Sequence, residues 1–206
     1  MSVKKHIVDC MKLLYKSKYI SMRDGNVSFK PKNSNYFYIS AGSIKKNEIN
    51  EDQVIKVNFK KSDMIFPNKL NYDIDYNKNY KYQPSREILM HSFLQTDKIY
   101  DDEDVFVVHA HPPNIISYIG INKSNELKNI KNIFPEINVG EIGDNVKYHH
   151  AGSYDLAKDC YDKLTNNEII GLERHGSLSI GSDIEQIMEN IETLEYYIDI
   201  KLKSNE

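Results

Sequence analysis

Two histidines lie one residue apart at the end of the apolar run DVFVVHAHPP, residues 104–113. Because side chains alternate between the two faces of a β-strand, His109 and His111 are expected to project from the same side. Two such imidazoles can chelate a divalent metal ion. A lone His-X-His pair also occurs by chance, and strand histidines often serve as hydrogen-bonding groups in the core. The pair therefore predicts a metal site only together with further ligands.

Two further residues of the right chemical type stand at predicted element boundaries. Glu87 lies near the start of the helix that precedes the histidine strand, and His175 comes just before a glycine in the turn ERHG. Glycine there allows close backbone approach to a ligand. Three imidazoles and one carboxylate are a usual ligand set for zinc, and a carboxylate that detaches from the ion can act as a base. The sequence thus predicts a metal centre at Glu87, His109, His111 and His175.

The apolar spacing predicts the helices that position these residues. Helical periodicity appears in four segments, residues 3–16, 85–95, 153–164 and 183–203. Ser85 and Ser153 stand where a helix N-cap is expected. Pro112 and Pro113 end the histidine strand and are compatible with starting a further helix. Glu87 is therefore expected in the first turn of a helix that leads directly into the histidine strand.

Alternating apolar residues predict the strands. They occur at residues 27–29, 36–40, 54–59, 105–111 and on both sides of ERHG, with a short strand suggested within EINVGEIG, residues 136–143. The short links between the early strands favour antiparallel pairing. The polar, poorly periodic stretch 60–84 is expected to be a surface loop. The pattern predicts one α/β domain over residues 1–206.

The charge balance excludes several classes of partner. The chain has 27 basic and 30 acidic residues mixed along its length, with a net charge of −3. This mixture provides no basic patch for nucleic acid or for an anionic membrane. Lys45 and Lys46 are expected to be solvated, although either could contact a phosphate. Small molecules and copies of the chain itself are the expected partners.

The cysteines and the apolar runs indicate the compartment. Cys10 and Cys160 lie far apart in predicted helices, outside any Cys-X-X-Cys motif or Cys/His cluster, and are interpreted as buried thiols in a reducing environment. No apolar stretch approaches the roughly 18 residues of a membrane span. A soluble, cytoplasmic protein is expected.

Six segments in order resemble motifs of the class II aldolase and adducin head domain family. They are DGNVSF, YFYISAGSI, PSREILMH, VVHAHP, AGSYDLA and ERHGSLSIG. The resemblance covers about residues 3–200 and is closest to the zinc-dependent fuculose-phosphate aldolases. It implies a three-layer α/β/α fold with a central, mostly antiparallel sheet flanked by helices. It also implies one Zn²⁺ per chain and a homotetramer with active sites at subunit interfaces.

The resemblance also implies roles for individual residues. His109, His111 and His175 would bind zinc, and Glu87 would be the fourth ligand and the catalytic base. The implied reaction cleaves a ketose phosphate, similar to fuculose 1-phosphate, into dihydroxyacetone phosphate and an aldehyde through a metal-stabilised enediolate. The residues that fall where the family binds the substrate phosphate are Gly25, Asn26, Gly42, Ser43, Ser85 and Arg86.

Three positions depart from the family pattern. Arg86 replaces a second serine, and its guanidinium could bind phosphate or project away and alter the substrate class. Gly42-Ser43 reverses the family's order of hydroxyl residue and glycine. The family's proton-donating tyrosine is missing from residues 130–136, where Glu136 is the candidate replacement. A neighbouring subunit could instead supply the acid, while Tyr148, His149 and His150 are interpreted as structural.

Other functions on the same scaffold stay open. A sugar-phosphate decarboxylase would be compatible with the same ligands. A ribulose-phosphate epimerase would tend to have aspartate where Glu87 stands, and a methylthioribulose-phosphate dehydratase would generally lack that carboxylate. A non-catalytic adducin-like module would lose metal ligands, which this chain retains.

Overall fold

The computed structural model describes residues 2–59, 77, 80–97, 102–120 and 125–204. The strands are β1 (Asn26–Lys30), β2 (Tyr36–Ser40), β3 (Val54–Asn58), β4 (Val105–Ala110), β5 (Ile169–Leu172) and β6 (Gly176–Gly181). They form one sheet in the order β3-β2-β1-β4-β6-β5, and every pairing between them is antiparallel. The histidine strand β4 is therefore central, between the strand that follows DGN and the strand that follows ERHG. The predicted antiparallel pairing is confirmed.

Helices cover both faces of the sheet. They are α1 (Val3–Lys16), α2 (Ile88–Gln95), α3 (Pro113–Ile119), α4 (Ile130–Ile133), α5 (Tyr154–Leu164) and α6 (Ile184–Lys203). Helices α1, α3 and α6 share one apolar cluster with Phe106 and Val108 of β4. Helices α2 and α5 share the other cluster with Val105 and Val107. The alternation along β4 thus separates two cores, and the three-layer α/β/α architecture is confirmed.

Side-chain caps begin α1, α5 and α6, whereas α2, α3 and α4 have none. Ser153 accepts a hydrogen bond from the Leu156 N–H at 3.1 Å, as predicted for the cap of α5. Helix α2, however, begins at Ile88 and has no side-chain cap. The Ser85 hydroxyl accepts from the Glu87 N–H at 3.3 Å, and the Ser85 carbonyl accepts from the Ile88 N–H at 3.1 Å. The prediction of Ser85 as the N-cap of this helix is wrong, because Ser85 instead forms a tight turn with Glu87 and Ile88 just before the helix begins.

The segment EINVGEIG is not a strand. Ile142 makes only an isolated parallel bridge to Ile169, and Ile137 and Val139 are buried in the core of the α1/α3/α6 face. Gly140 packs against the Glu168 side chain so closely that a Cβ on Gly140 would lie 1.9 Å from Glu168 Oε2. The prediction of a short strand is wrong because the apolar residues bury their side chains beside β5 without forming a hydrogen-bonded ladder.

Three further expectations concern the cysteines, the loop at 60–84 and membrane-spanning helices. Cys10 and Cys160 are free and buried on α1 and α5, as predicted. Most of the predicted loop at 60–84 lies outside the described residues, and its described end, at Pro84, bridges to Ala41. Among the described residues, no helix has both the length and the apolar character needed to cross a bilayer.

Candidate metal centre

The sheet topology brings the candidate ligands together at the C-terminal end of β4. His109 is opposite Asn26 of β1 and opposite Leu178 of β6 in the strand register. His111 follows directly after β4, and His175 is the last residue of the turn between β5 and β6. Helix α2 packs on the same face and begins immediately after Glu87. Four separate segments therefore meet where β4 ends.

The three histidines form a compact cluster. Their ring centroids are 4.7 Å apart for His109 and His111, 4.7 Å for His109 and His175, and 5.1 Å for His111 and His175. One nitrogen from each ring lies within 4.8 Å of the others. His109 is fully buried, and the other two are partly exposed. The cluster can hold a metal ion that is open to solvent on one side.

Glu87 closes the buried side of the cluster. Its Oε2 is 3.2 Å from His109 Nε2, and its Oε1 is 3.3 Å from His175 Nε2. Asn26 Nδ2 donates to Oε2 at 2.8 Å. Among the described residues, Oε1 is buried and has no hydrogen-bond partner. Because a buried carboxylate oxygen without a hydrogen bond is costly, the position of Oε1 beside His175 of the imidazole cluster fits a site built for a cation.

The protonation states suit metal binding. Burial lowers the pKa of His109 to about 3, so the ring is neutral. Its Nδ1 donates to the Ser177 carbonyl at 2.9 Å, which leaves the Nε2 lone pair directed at the cluster. Burial also lowers the pKa of His175. For Glu87, burial acts to raise the pKa, but His109, His175 and the Asn26 amide together lower it to about 2. Neutral imidazoles and an ionised carboxylate are the forms that coordinate metals.

Asp24 lies on the exposed side of the histidine cluster, beside His111. The sequence analysis did not select it as a site residue. Its Oδ2 is 3.5 Å from His111 Nδ1, and both oxygens accept hydrogen bonds from Ser21. Although burial opposes it, hydrogen bonds from His111 and Ser21 hold the pKa of Asp24 well below its usual range. A carboxylate beside a ligating histidine orients the ring. The available signal was the acid in DGN, which was interpreted only as turn chemistry.

Two glycines permit the close approach of segments around β4. Gly25 has a φ of +68°, and a Cβ there would be 2.4 Å from Ile20 Cγ2. A Cβ on Gly176 would be 2.1 Å from the Ala110 carbonyl oxygen. Only glycine fits such positions. The glycines of DGN and ERHG thus let β1 and β6 reach the end of the histidine strand.

The six predicted phosphate-binding residues lie on three neighbouring turns. A Cβ on Gly42 would be 3.3 Å from the Cα of Ser85, so the turns at 42–43 and 85–86 are in contact. Arg23, which sequence reasoning did not select, donates to the Ser43 carbonyl at 2.9 Å. Arg86 is exposed. The turns at 42–43 and 85–86 are thus neighbours, and Arg23 contacts the first of them, while the buried Asn26 side chain donates to Glu87.

Other candidate residues lie elsewhere. Glu136 is exposed after α4, and no contact between described residues joins it to the histidine cluster. His149 Nε2 is 2.8 Å from Asp159 Oδ2, while Tyr148 and His150 form a ring pair with a centroid distance of 5.8 Å. These contacts agree with the structural interpretation of residues 148–150.

Lys46 is not solvated, contrary to expectation. It is 1% exposed, and its Nζ donates to the Ala41 carbonyl at 2.7 Å. Burial lowers its pKa to about 8, while Asp24 and Glu87 act in the opposite direction. The prediction was wrong because a short 3₁₀-helix, Lys46–Glu48, turns this side chain inward while Lys45 remains outside.

Known proteins share this fold and sequence pattern. An L-fuculose phosphate aldolase from Methanococcus maripaludis (strain C5 / ATCC BAA-1333) is 29% identical over 185 residues, which cover 89% of this chain and 86% of that protein. The solved structure of an L-fuculose 1-phosphate aldolase has a TM-score of 0.74 at 19% identity, covering 98% of this chain and 86% of its own. YgbL from Klebsiella pneumoniae, named as a candidate aldolase/epimerase/decarboxylase, has a TM-score of 0.75 at 17% identity. The match covers 98% of this chain and 88% of the YgbL chain. At these identities the two structures show a shared fold.

A family model extends over nearly the whole chain. The model described as Class II Aldolase and Adducin N-terminal domain matches residues 5–202. This range includes the turn at DGN, the histidine strand and the turn at ERHG. The resemblance expected from the sequence motifs is confirmed, and the chain belongs to the Class II Aldolase and Adducin N-terminal domain family.

Proposed function

We propose that the protein is a zinc-dependent aldolase that cleaves a ketose phosphate similar to fuculose 1-phosphate into dihydroxyacetone phosphate and an aldehyde. The observation that carries this proposal is the cluster of three imidazoles with the buried Glu87 Oε1, which has no hydrogen bond among the described residues and lies 3.3 Å from His175 Nε2. A relative with fuculose-phosphate aldolase activity in its name matches 89% of the chain. The reaction is a carbon–carbon lyase reaction and would take place in the cytoplasm.

The ligand set proposed for zinc is His109, His111, His175 and, in the resting state, Glu87. Their nitrogen-rich donor set and their neutral or ionised states suit Zn²⁺. When bound, one zinc ion per chain would supply Lewis-acid polarisation of the carbonyl and hydroxyl oxygens of the substrate. The partly exposed His111 and His175 leave the substrate a direction of approach.

Glu87 is proposed as the base that takes or returns the proton on the reacting carbon. It is ionised, since its pKa is lowered to about 2, and Asn26 holds one of its oxygens. Its other oxygen has no competing hydrogen bond among the described residues. A carboxylate held in this way can transfer a proton at a defined position without first breaking a hydrogen bond at Oε1.

The substrate phosphate is proposed to bind on the three turns that carry Gly25, Asn26, Gly42, Ser43, Ser85 and Arg86. Turns of this kind present backbone amides to an anion, and Arg86 adds an exposed guanidinium. Arg23 extends the proposed cradle, because its contact with the Ser43 carbonyl places a second cation there.

The proton donor is proposed to act across a subunit boundary. Glu136 is exposed and makes no described contact with the cluster of its own chain. In a homotetramer with interfacial sites, Glu136 or another acid of a neighbouring subunit could complete the centre. We further propose that residues 1–206 form a single domain, which gives each subunit one metal centre.

A related sugar-phosphate decarboxylase or epimerase is the second candidate, favoured by the structural similarity to YgbL. An epimerase would tend to have aspartate where Glu87 stands, and a dehydratase would generally lack a carboxylate there. Glu87 therefore speaks against both. The retained histidine cluster speaks against a non-catalytic adducin-like module.

A panel of ketose phosphates tests the proposal. Zinc-loaded protein should release aldehyde from a substrate similar to fuculose 1-phosphate, while release of carbon dioxide or epimerisation would identify the second candidate. Glu87→Gln, assayed at a zinc concentration that saturates the variant, should lower cleavage by about 100-fold or more, the contribution of a general base. Full cleavage by this variant would refute the role of Glu87. His149→Ala, which removes a histidine outside the cluster, is the matched control.

A further inference from the structure

Four buried polar side chains form a continuous line that ends on Glu87. The line runs from Gln95 through Ser28 and His91 to Asn26, and each of these residues is 3% exposed or less. His91 and Gln95 lie four residues apart on α2, so they share one helix face against β1. The proposed reaction uses neither of them. Burying so many polar groups is costly unless their hydrogen bonds are specifically arranged.

The donors along this line can be deduced from its first acceptor. Gln95 Nε2 is 3.2 Å from the Val105 carbonyl oxygen, which can only accept. The same amide nitrogen lies 2.8 Å from Ser28 Oγ and donates its second hydrogen there. The Ser28 hydroxyl hydrogen is then available for His91 Nδ1, which is 2.7 Å away. At the other end of the line, the Glu87 carboxylate can only accept, so the Asn26 amide nitrogen faces it and Asn26 Oδ1 faces His91 Nε2. Nε2 must therefore donate, and Nδ1 of the neutral ring accepts from Ser28.

The tautomer of His91 determines the orientation of Asn26. Burial lowers the pKa of His91 to about 4, so the ring is neutral and carries a single hydrogen. With Nδ1 accepting, that hydrogen is on Nε2, which contacts Asn26 Oδ1. Because Oδ1 faces His91, the Asn26 amide group faces Glu87 and donates to Oε2 at 2.8 Å.

We propose that His91 is a positioning residue which, through the Asn26 amide, holds Glu87 Oε2 beside His109 and so keeps Oε1 beside His175. Without the donor on His91, the Asn26 amide is free to rotate and present Oδ1 to the carboxylate, and two acceptors repel each other. Hydrogen bonds to a ligating carboxylate commonly contribute to metal affinity. The inference rests on the proposed zinc centre and deepens it by assigning the support of its carboxylate.

Two substitutions of His91 separate positioning from packing. In His91→Gln, the side-chain amide can occupy the place of Nε2 and donate to Asn26, but it loses the acceptor for Ser28. In His91→Asn, the shorter side chain can accept from Ser28 but does not reach Asn26. Each variant therefore loses one of two hydrogen bonds at the same buried position. Only His91→Asn removes the donor that orients Asn26.

Zinc affinity of the full-length protein, measured by chelator competition without substrate, is the readout. We expect His91→Asn to weaken zinc binding about 10–100-fold, the usual effect of losing an outer hydrogen-bond partner. His91→Gln should weaken it by less than about 10-fold, although the two variants lose similar stability in urea. Equal zinc affinities in the two folded variants would overturn the inference. Wild-type protein that binds zinc but cleaves no ketose phosphate would refute the proposed function alone.

The tautomer provides a test that needs no variant. In wild-type protein with ¹⁵N-labelled histidine, the chain's seven histidines can be distinguished by their ring spectra, and His91 by its nuclear Overhauser effects to Ser28. We expect a neutral ring with its hydrogen on Nε2. A hydrogen on Nδ1 would overturn the inference, even if both variants failed to fold.

Discussion

The two faces of β1 make different kinds of contact, one apolar and one hydrogen-bonded, although their residues alternate along a single five-residue strand. Val27 and Phe29 pack into the apolar cluster beneath α1, and the Phe29 ring contacts the Phe106 ring at a tilt, with a centroid distance of 4.4 Å. Asn26 and Ser28 point to the opposite face, where α2 supplies their hydrogen-bond partners. The apolar face contributes stability through burial, which is non-directional. The polar face depends on direction, because each of its groups needs a specific partner.

This contrast has a consequence for mutational effects. Loss of volume on the apolar face should reduce stability and leave the metal centre of each folded molecule intact. Loss of a hydrogen bond on the polar face should cost less stability and alter metal affinity. Four predictions test this difference, from the largest expected effect to the smallest.

Phe29→Ala should lower the free energy of unfolding by about 3–5 kcal/mol, because it leaves a cavity against Phe106 and removes apolar burial. Urea denaturation of the metal-free protein measures this loss. Zinc affinity under native conditions, corrected for the folded fraction, should match wild type. A large change in that affinity would contradict the separation of the two faces.

His109→Ala should weaken zinc binding by more than about 100-fold, beyond the range for outer hydrogen-bond partners, because it removes a buried ligand. Chelator competition is the measurement. His149→Ala serves as the control, since His149 pairs with Asp159 outside the cluster. Wild-type affinity in His109→Ala would rule out the proposed centre.

Ser28→Ala should cost only about 1 kcal/mol of stability, the usual net worth of a hydrogen bond. It should nevertheless weaken zinc binding, because His91 loses the partner that holds its tautomer. The same two measurements apply as for Phe29→Ala. The opposite pattern, with zinc affinity unchanged in Ser28→Ala and reduced in Phe29→Ala, would reverse the roles of the two faces.

His91→Gln should flatten the pH dependence of stability in metal-free protein. The pKa of His91 is about 4 in the folded state against an ordinary 6.5, so the unfolded chain binds a proton first as the pH falls. Stability is therefore present above 6.5 and is lost as the pH falls toward 4. Removing His91 should reduce that slope by at most about 1.4 kcal/mol per pH unit. An unchanged slope in urea melts between these pH values would show that His91 is not neutral in the fold.

Local chemistry made much of this protein predictable. The helices at 3–16, 153–164 and 183–203 were recognisable because their apolar periodicity persists over three or more turns. The antiparallel pairing of β1 with β2 and of β2 with β3 followed from the short links, whereas the pairings of β4 join segments distant along the chain. The start of α2 was not predictable, because the Ser85 turn and a true N-cap use the same residue types. The EINVGEIG segment alternates like a strand but pairs only through an isolated bridge at Ile142.

The candidate site divides in the same way. The sequence indicated Glu87, His109, His111 and His175 as candidate ligands through residue type and strand spacing, and the structure brings the three histidines together. The sequence could not show that Lys46 is buried, that Asp24 contacts His111, or that His91 lies behind Asn26. Those contacts join residues distant along the chain, and no local pattern records them.

The sequence by itself therefore determined the residue types of the candidate metal ligands and the alternation of side chains between the two faces of β1 and β4. Through its ordered motifs it also indicated membership of the family. Only the tertiary structure decided which polar groups support the centre and in which direction each hydrogen bond runs. The physical reason is that periodicity depends on near neighbours, whereas hydrogen-bond direction depends on the full set of donors and acceptors that folding encloses. The line from Val105 to Glu87 has a defined direction only because β1, β4 and α2 bury it together.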